Sequence, residues 1–345
     1  MVFAALTVIA SYLALLCALI ILLKKNKHIS DYYLTAWLFV LFMFIFFKLD
    51  FSHLFTTLGK SLAAFHGIFI FLYVKNITFN SRFQPKDLLH FMLPVIMLLP
   101  MFYIDDYVLT QLYQIFKILI YTLYIALAAL MVRKYRRKIK ENYSNIELAD
   151  ISWLIILICG NLFFAVNATI EVLFSGYPAE FVEEAALFVF MNITGIKGML
   201  QAAVFIKQPV EEGNVTERKI VYTDNYGLKG PEVEKLSERL REYVEREKPY
   251  VNPTLSLKDL AMAMDTYPHY ITLILNTVFN QNFYDFINHY RVVEAEHQLI
   301  DPSKAKLTIV AIAYDCGFNS KATFNRVFKE KKGVTPTEYK LIAQQ

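Results

Sequence analysis

The apolar positions follow two different patterns along the chain, and the change falls near Lys207. Up to that point they form long runs broken by short polar stretches. Beyond it they recur at helical spacing among dense charges. Crossing a bilayer takes roughly 20 apolar residues in a helix, within a range of about 17–25. Seven segments meet that length: 2–23, 32–49, 61–77, 88–104, 112–132, 151–173 and 185–206. The first has no basic residue ahead of it and a positive cluster behind it, the reverse of a signal peptide. It reads as an uncleaved first span that starts outside the cell.

Orientation follows from the lysines and arginines of the short connections. Lys24, Lys25 and Lys27 follow span one, and Lys75, Arg82 and Lys86 follow span three. Arg133, Lys134, Arg136, Arg137, Lys138 and Lys140 follow span five. The alternate connections hold Lys48 and Lys60 alone. Twelve against two, alternating in register, supports the count of seven, because a missed helix would put every later loop out of phase. The basic cluster 133–140 accordingly reads as a topology determinant. Everything after Lys207 is expected on the cytoplasmic side, and the chain in the inner (cytoplasmic) membrane.

The later pattern predicts capped helices. Pro231 suits a first helical position, and Val233, Leu236, Leu240 and Val244 form one apolar stripe. The stripe reads as the first helix of a domain, with a dimer-forming coiled coil as the alternative. Ser256 with Asp259 makes a capping box before Leu257, Leu260, Ala261 and Met264. Asp265–Pro268 makes a turn, and Ile271, Ile274, Leu275 and Val278 mark the core face of the next helix. Asn282 caps a helix from Phe283 to Ile300 that Pro302 closes. Thr308 caps a helix with Ile309, Ile312 and Ala313, Gly317 turns the chain, and Ser320 opens a helix with Phe324 and Phe328. Gly333 ends that helix and Pro336 starts a last one. Two units of short helix, tight turn and longer helix, joined by one connecting helix, make a double helix-turn-helix. Gly317 accepts the positive φ of such a turn, and Asp265 holds the equivalent place in the first unit.

The residues Pro253-x-Leu255-Ser256-Leu257-x-x-Leu260-Ala261 and Phe283-x-x-Phe286-Ile287-Asn288-x-x-Arg291 are similar to the AraC/XylS family of bacterial transcription regulators. The most specific stretch is Ile312-Ala313-x-x-x-Gly317-Phe318-x-Ser320-x-x-Thr323-Phe324-x-Arg326-x-Phe328-Lys329, followed by Gly333-x-Thr335-Pro336-x-x-Tyr339. The resemblance covers about residues 231–345. The spans ahead of such a domain resemble, more weakly, a membrane-bound branch of the family. What the resemblance implies is major-groove reading of promoter DNA by two helices, at His269–Phe279 and Lys321–Lys331.

Charge agrees best with the second of these. Residues 304–345 hold eight Lys+Arg against Asp315, Glu330 and Glu338, a phosphate footprint. Lys321, Ala322, Thr323, Asn325, Arg326 and Lys329 are its expected contacts, with Arg326 matched to guanine, Asn325 to adenine and Ala322 or Thr323 to a thymine methyl. The first helix has no Lys or Arg, so His269, Thr272, Leu273 and Asn276 would have to read bases there.

Composition sharpens this division. Hydrophobic residues make up 56% of the 345 and charged residues 19%, with mean hydropathy +0.37. The net charge of +4 splits into +5 for residues 1–207 and −1 for the rest. Cys17, Cys159 and Cys316 form no paired framework or metal clip, and no phosphate loop, dinucleotide fingerprint or HExxH motif is present. No catalytic role, cofactor or metal is expected. Ionisable residues inside spans default to functional candidates. His66, Lys117, Glu171 and Lys197 are therefore read as a signal site open to the outer side, with Glu171 and Lys117 paired.

The expected architecture is all-α: a seven-helix transmembrane sensor at 1–207, a linker at 208–230 and an AraC-like DNA-binding domain at 231–345. Its expected partners are double-stranded DNA, the lipid bilayer, a small-molecule or membrane-derived signal and a second copy. The competing expectation is a membrane receptor or transporter whose cytoplasmic domain binds a protein.

Overall fold

A computed structural model describes residues 2–25, 27–47, 53–79, 83–98, 107–145, 152–174, 186, 189, 190, 193, 194 and 230–343. The described residues are helical and contain no strand. The chain forms two compact units: Met1–Tyr135 with Ile151–Glu211, and Arg136–Asp150 with Glu212–Gln345.

The first unit contains α1 (Val2–Leu22), α2 (Ile29–Phe47), α3 (His53–Phe79) and α4 (Leu89–Leu98), which a 3-10 turn at Pro85–Leu88 leads into. The first part of α5 (Tyr107–Asn142) and α6 (Ser152–Leu173) are its other long helices among the described residues. Trp37, Leu38, Ile68, Leu72, Trp153 and Leu157 are buried at its centre. Its outside is as apolar as its inside: Leu109, Leu112, Leu119, Leu123 and Leu130 are all exposed on α5. Exposed apolar surface on that scale marks contact with something other than water. Four described helices, at Ile29–Phe47, Leu62–Phe79, Val108–Asn142 and Trp153–Leu173, are long and apolar enough to cross a membrane. The segment 185–206 and Lys197 lie outside the described residues, apart from the five positions between 186 and 194.

Two buried carboxylates sit at helix starts in this unit. Asp31 pairs with Lys24 at 3.3 Å and Asp87 with Lys75 at 2.5 Å. Pairing is what makes such burial tolerable. The basic cluster 133–140, expected in a loop after the fifth span, lies instead on a helix, because α5 continues to Asn142. Lys and Arg are good helix formers, and no Gly or Pro interrupts the run before Tyr143-Ser144-Asn145.

The second unit contains α7 (Gly230–Glu247), α8 (Leu257–Ala263), α9 (Pro268–Thr277), α10 (Phe283–Ile300), α11 (Ile309–Asp315), α12 (Lys321–Lys332) and α13 (Pro336–Ala343). The local chemistry of the sequence explains the boundaries. Ser256 Oγ accepts from Asp259 N while the Asp259 carboxylate accepts from Ser256 N, closing the capping box. Asn282, Thr308 and Ser320 accept from the third residue of their own helices. Each such cap contributes on the order of 1 kcal/mol.

Two cores result. Leu240, Val244, Leu260, Ile271, Ile274 and Phe286 form one, with Val233 and Leu236 packed against it; the stripe on α7 is therefore part of this domain's own core. Val292, Ile312, Ala313, Phe318, Phe324 and Phe328 form the other. α10 supplies both, through Phe283, Phe286 and Ile287 on one side and Tyr284, Val292, Ala295 and Leu299 on the other. Val278 does not join the core. It lies one residue past the end of α9 and is 46% exposed, because the helix stops before the apolar period would carry Val278 inward.

The two turns have one design. Asp265 has φ 49° and Gly317 φ 87°. One residue further on, Thr266 N donates to Ala261 O and Phe318 N to Ala313 O, both at 3.0 Å. A left-handed backbone costs an L residue roughly 1–2 kcal/mol, somewhat less for Asp, while glycine adopts it freely but orders at a cost of about 0.5–1 kcal/mol. Asp265→Gly is therefore expected to stabilise the domain by up to about 1 kcal/mol, read as a raised midpoint in thermal unfolding. A lowered midpoint would show that the carboxylate does something its strain conceals.

Candidate nucleic-acid interface

α12 is held at both ends. Ser320 Oγ accepts from Thr323 N at 3.2 Å, and Gly333, at φ 78°, donates from its N–H to Lys329 O at 2.8 Å. Phe324, Val327 and Phe328 anchor one face in the core. The opposite face then presents Lys321, Ala322, Arg326 and Lys329 exposed, with Thr323 and Asn325 half-buried beside them. Glu330, Lys331 and Lys332 extend it, and Lys332 pairs with Glu296 at 2.5 Å. A rigid helix carrying cations and short polar side chains on its first turns suits insertion into a major groove, where a guanidinium can take guanine O6 and N7 together.

Arg326 is not left to roam. Its Nη2 donates to Tyr284 Oη at 2.8 Å and its Nη1 lies 3.4 Å from Glu330, while its side chain stays 55% exposed. Tyr284 sits in the first turn of α10, and burial pushes its phenol above the ordinary value, keeping it a neutral hydroxyl. Composition and periodicity gave no sign of Tyr284, because its partner is 42 residues away in the chain.

The first helix-turn-helix offers a different surface. His269 and Asn276 are exposed on α9, and Thr272 and Leu273 are half-buried. The Thr272 hydroxyl donates to Pro268 O at 3.1 Å within its own helix. His269 packs on Tyr270, ring centroids 4.1 Å apart, and stacks on Tyr267 at 5.6 Å. Burial lowers its pKa, which favours the neutral ring. Met262, Tyr267 and Val278 add exposed apolar surface around α9.

Residues 260–341 match the family model of a helix-turn-helix domain. No curated protein and no solved structure matches the chain. The match runs from α8 into α13 and supports double-stranded DNA binding by this helix-turn-helix domain.

The three signal-site candidates among the described residues fall on separate helices. His66, on α3, is buried with both ring nitrogens unpartnered and its ring edge-on to Phe44 at 5.6 Å. Lys117, on α5, has its ammonium 6.0 Å from the Tyr113 ring centroid. Glu171 is exposed near the end of α6. Among the described residues no ion pair joins Lys117 to Glu171. No group of three or more His, Cys, Asp or Glu at metal-holding distance occurs among the described residues.

Proposed function

We propose that the chain is a membrane-anchored, one-component transcription regulator of the AraC type. Residues 1–207 form its seven-span sensor, and the helix-turn-helix domain reads promoter DNA under the sensor's control. The observation that carries this reading is α12, capped at both ends within the matched region and presenting Lys321, Ala322, Arg326 and Lys329 to solvent.

The membrane part of the reading has its own support. The described residues 136–145 and 230–343 belong to one compact unit, so they share one side of any bilayer. The chain between them must then cross an even number of times. α6 supplies one crossing, and 185–206 is the other apolar segment of sufficient length between residues 151 and 211. This requirement supports two crossings after α5; added to the five apolar segments up to residue 132 they make seven, and the lysine and arginine bias then favours the amino terminus outside and the carboxy terminus in the cytoplasm. The signal is read by His66, Lys117, Glu171 and Lys197, and it shifts the output only through differential affinity for two states of the bundle.

The reading is tested on the full chain in lipid nanodiscs, by measuring affinity for DNA from upstream regions as salt is raised. Log affinity should fall linearly with log salt. Arg326→Ala should weaken the best site by about 10–100-fold and relax its preference at one base pair. A flat salt dependence, or no loss in Arg326→Ala, would sink the regulator reading.

A second reading, a membrane receptor whose domain docks a protein, draws on α9. That helix has no Lys or Arg, and Met262, Tyr267 and Val278 are exposed around it. The same salt titration separates the two, since apolar docking does not release counterions from DNA.

A further inference from the structure

The last turn of α5 and the residues after it are built into the helix-turn-helix domain. Tyr143 pairs with Ser256 as an antiparallel bridge. Ser144 N and Ser144 Oγ both donate to Leu255 O, at 3.2 and 2.7 Å. Arg291, on α10, answers from the other side: its Nη1 donates to Ser144 O at 2.9 Å and its Nη2 to Ser144 Oγ at 3.0 Å. Ser144 and Arg291 are each 1% exposed. A serine 147 positions from its partner, with both of its oxygens and its N–H engaged, is a plug in a fitted socket.

The same arm reaches α12. The Lys140 ammonium lies 5.3 Å from the Tyr284 ring centroid, a cation–π distance, and the Tyr284 hydroxyl is the one that Arg326 holds. Arg136 and Arg137 are exposed on the arm just before it. One short segment thus engages α10 through Arg291 and Tyr284, and through Tyr284 the arginine expected to read a base.

We propose that residues 136–145 are a coupling arm, whose docking into the socket formed by Leu255, Ser256 and Arg291 sets the DNA affinity of the domain. The inference rests on the regulator reading above. The docked arm supports Tyr284 and so fixes Arg326; docked is the DNA-competent state. Because α5 is one continuous helix from Tyr107 to Asn142, a signal that shifts or turns α5 pulls on the arm directly.

The test uses the full chain in lipid nanodiscs, with exposed Cys159 replaced by serine; Cys17 and Cys316 are buried. Opposed residues of an antiparallel bridge have Cα atoms about 4.5–5.5 Å apart, within the disulfide range of about 4.4–6.8 Å. Tyr143→Cys with Ser256→Cys should therefore close under mild oxidation. A protease site placed between 212 and 225 shows closure, since the two fragments then separate only after reduction. The duplex is the one that the unaltered chain selects from a random pool. The closed form should bind it within about twofold of the reduced form. Ser144→Pro, which removes the N–H and the hydroxyl, should abolish closure in the same background and weaken binding about tenfold or more, with the thermal unfolding of the domain retained. Ser256→Cys alone controls for the lost helix cap.

Little closure in the parent would overturn the docking. Closure with undiminished affinity in Ser144→Pro would overturn the coupling. Failure of the unaltered chain to select any duplex would defeat the regulator reading, and the coupling with it, while closure would still report the docking.

Discussion

Replacing Arg291 by methionine should destabilise the helix-turn-helix domain by about 3 kcal/mol, although methionine fills a similar volume with no charge to bury. The guanidinium is 1% exposed and faces no carboxylate. Its partners are oxygens: Tyr250 O at 2.7 Å, Asn252 O at 2.9 Å, Ser144 O at 2.9 Å, Ser144 Oγ at 3.0 Å and Asn288 Oδ1 at 3.3 Å. Burial pulls its pKa down to about 10, so it stays charged at any physiological pH and the desolvation cost is always present. Two effects compete in the variant. Removing a buried charge relieves desolvation, and apolar replacements of buried ion pairs are often neutral or stabilising. That outcome requires both partners to be replaced, and main-chain carbonyls cannot be. Three of them lose their donor, at about 1–3 kcal/mol each when buried, and this loss wins.

For a domain of this size the melting midpoint should fall by about 10–20 °C, followed by circular dichroism or dye binding on the full chain. Arg291→Lys should lie between, since three donors on one nitrogen cannot span the fork of sites. Closure between Tyr143→Cys and Ser256→Cys should weaken with it, because the arm loses half of its socket. A midpoint equal to or above the parent's would mean that the carbonyls find other donors, and that Arg291 is not what organises the turn at 249–252.

How much of this was legible in the sequence divides by distance along the chain. Ser256, Asn282, Thr308, Ser320 and Gly333 each act within four residues, and each was readable from its own neighbourhood. So were the positive φ at Asp265 and at Gly317, and the face of α12 that carries Lys321 and Arg326. The apolar stripe placed every core residue named for α8 to α12 except Val278, which the end of α9 leaves outside. What was illegible is long-range. Arg291 was visible as part of a motif but not as the donor to Ser144, because periodicity carries no information across 147 residues. The cluster 133–140 read as a loop because a hydropathy window ends where lysines begin, whereas a helix ends only where its backbone is interrupted. Tyr284 was silent for the same reason as Arg291: its position on α10 is local, its partner is not.

The two glycines with positive φ in the helix-turn-helix domain should respond very differently to alanine. Gly333→Ala should cost only about 1 kcal/mol, the strain of a left-handed residue at a helix end, since an added Cβ there meets nothing within 4 Å. Gly317→Ala should cost at least about 3 kcal/mol. At φ 87° its Cβ would collide with the Tyr250 carbonyl oxygen and lie 2.9 Å from the main chain of Val251. All three close atoms are backbone, which leaves nothing flexible to yield, so overpacking adds to strain. The turn of the second helix-turn-helix is therefore built against the 3-10 turn Pro249–Val251 that precedes the first helix-turn-helix. Tyr250 O is also the acceptor of Arg291 Nε. The same carbonyl is thus given room by a glycine and bonded by an arginine. Gly317→Ala with Arg291→Met should then cost less than the two losses added, because either change alone displaces the turn that both contact. Chemical denaturation of the two single variants and the double variant measures that shortfall. Equal costs at Gly317 and Gly333 would show that the close approach is not there, and full additivity would show that the arginine and the glycine hold separate parts of the fold.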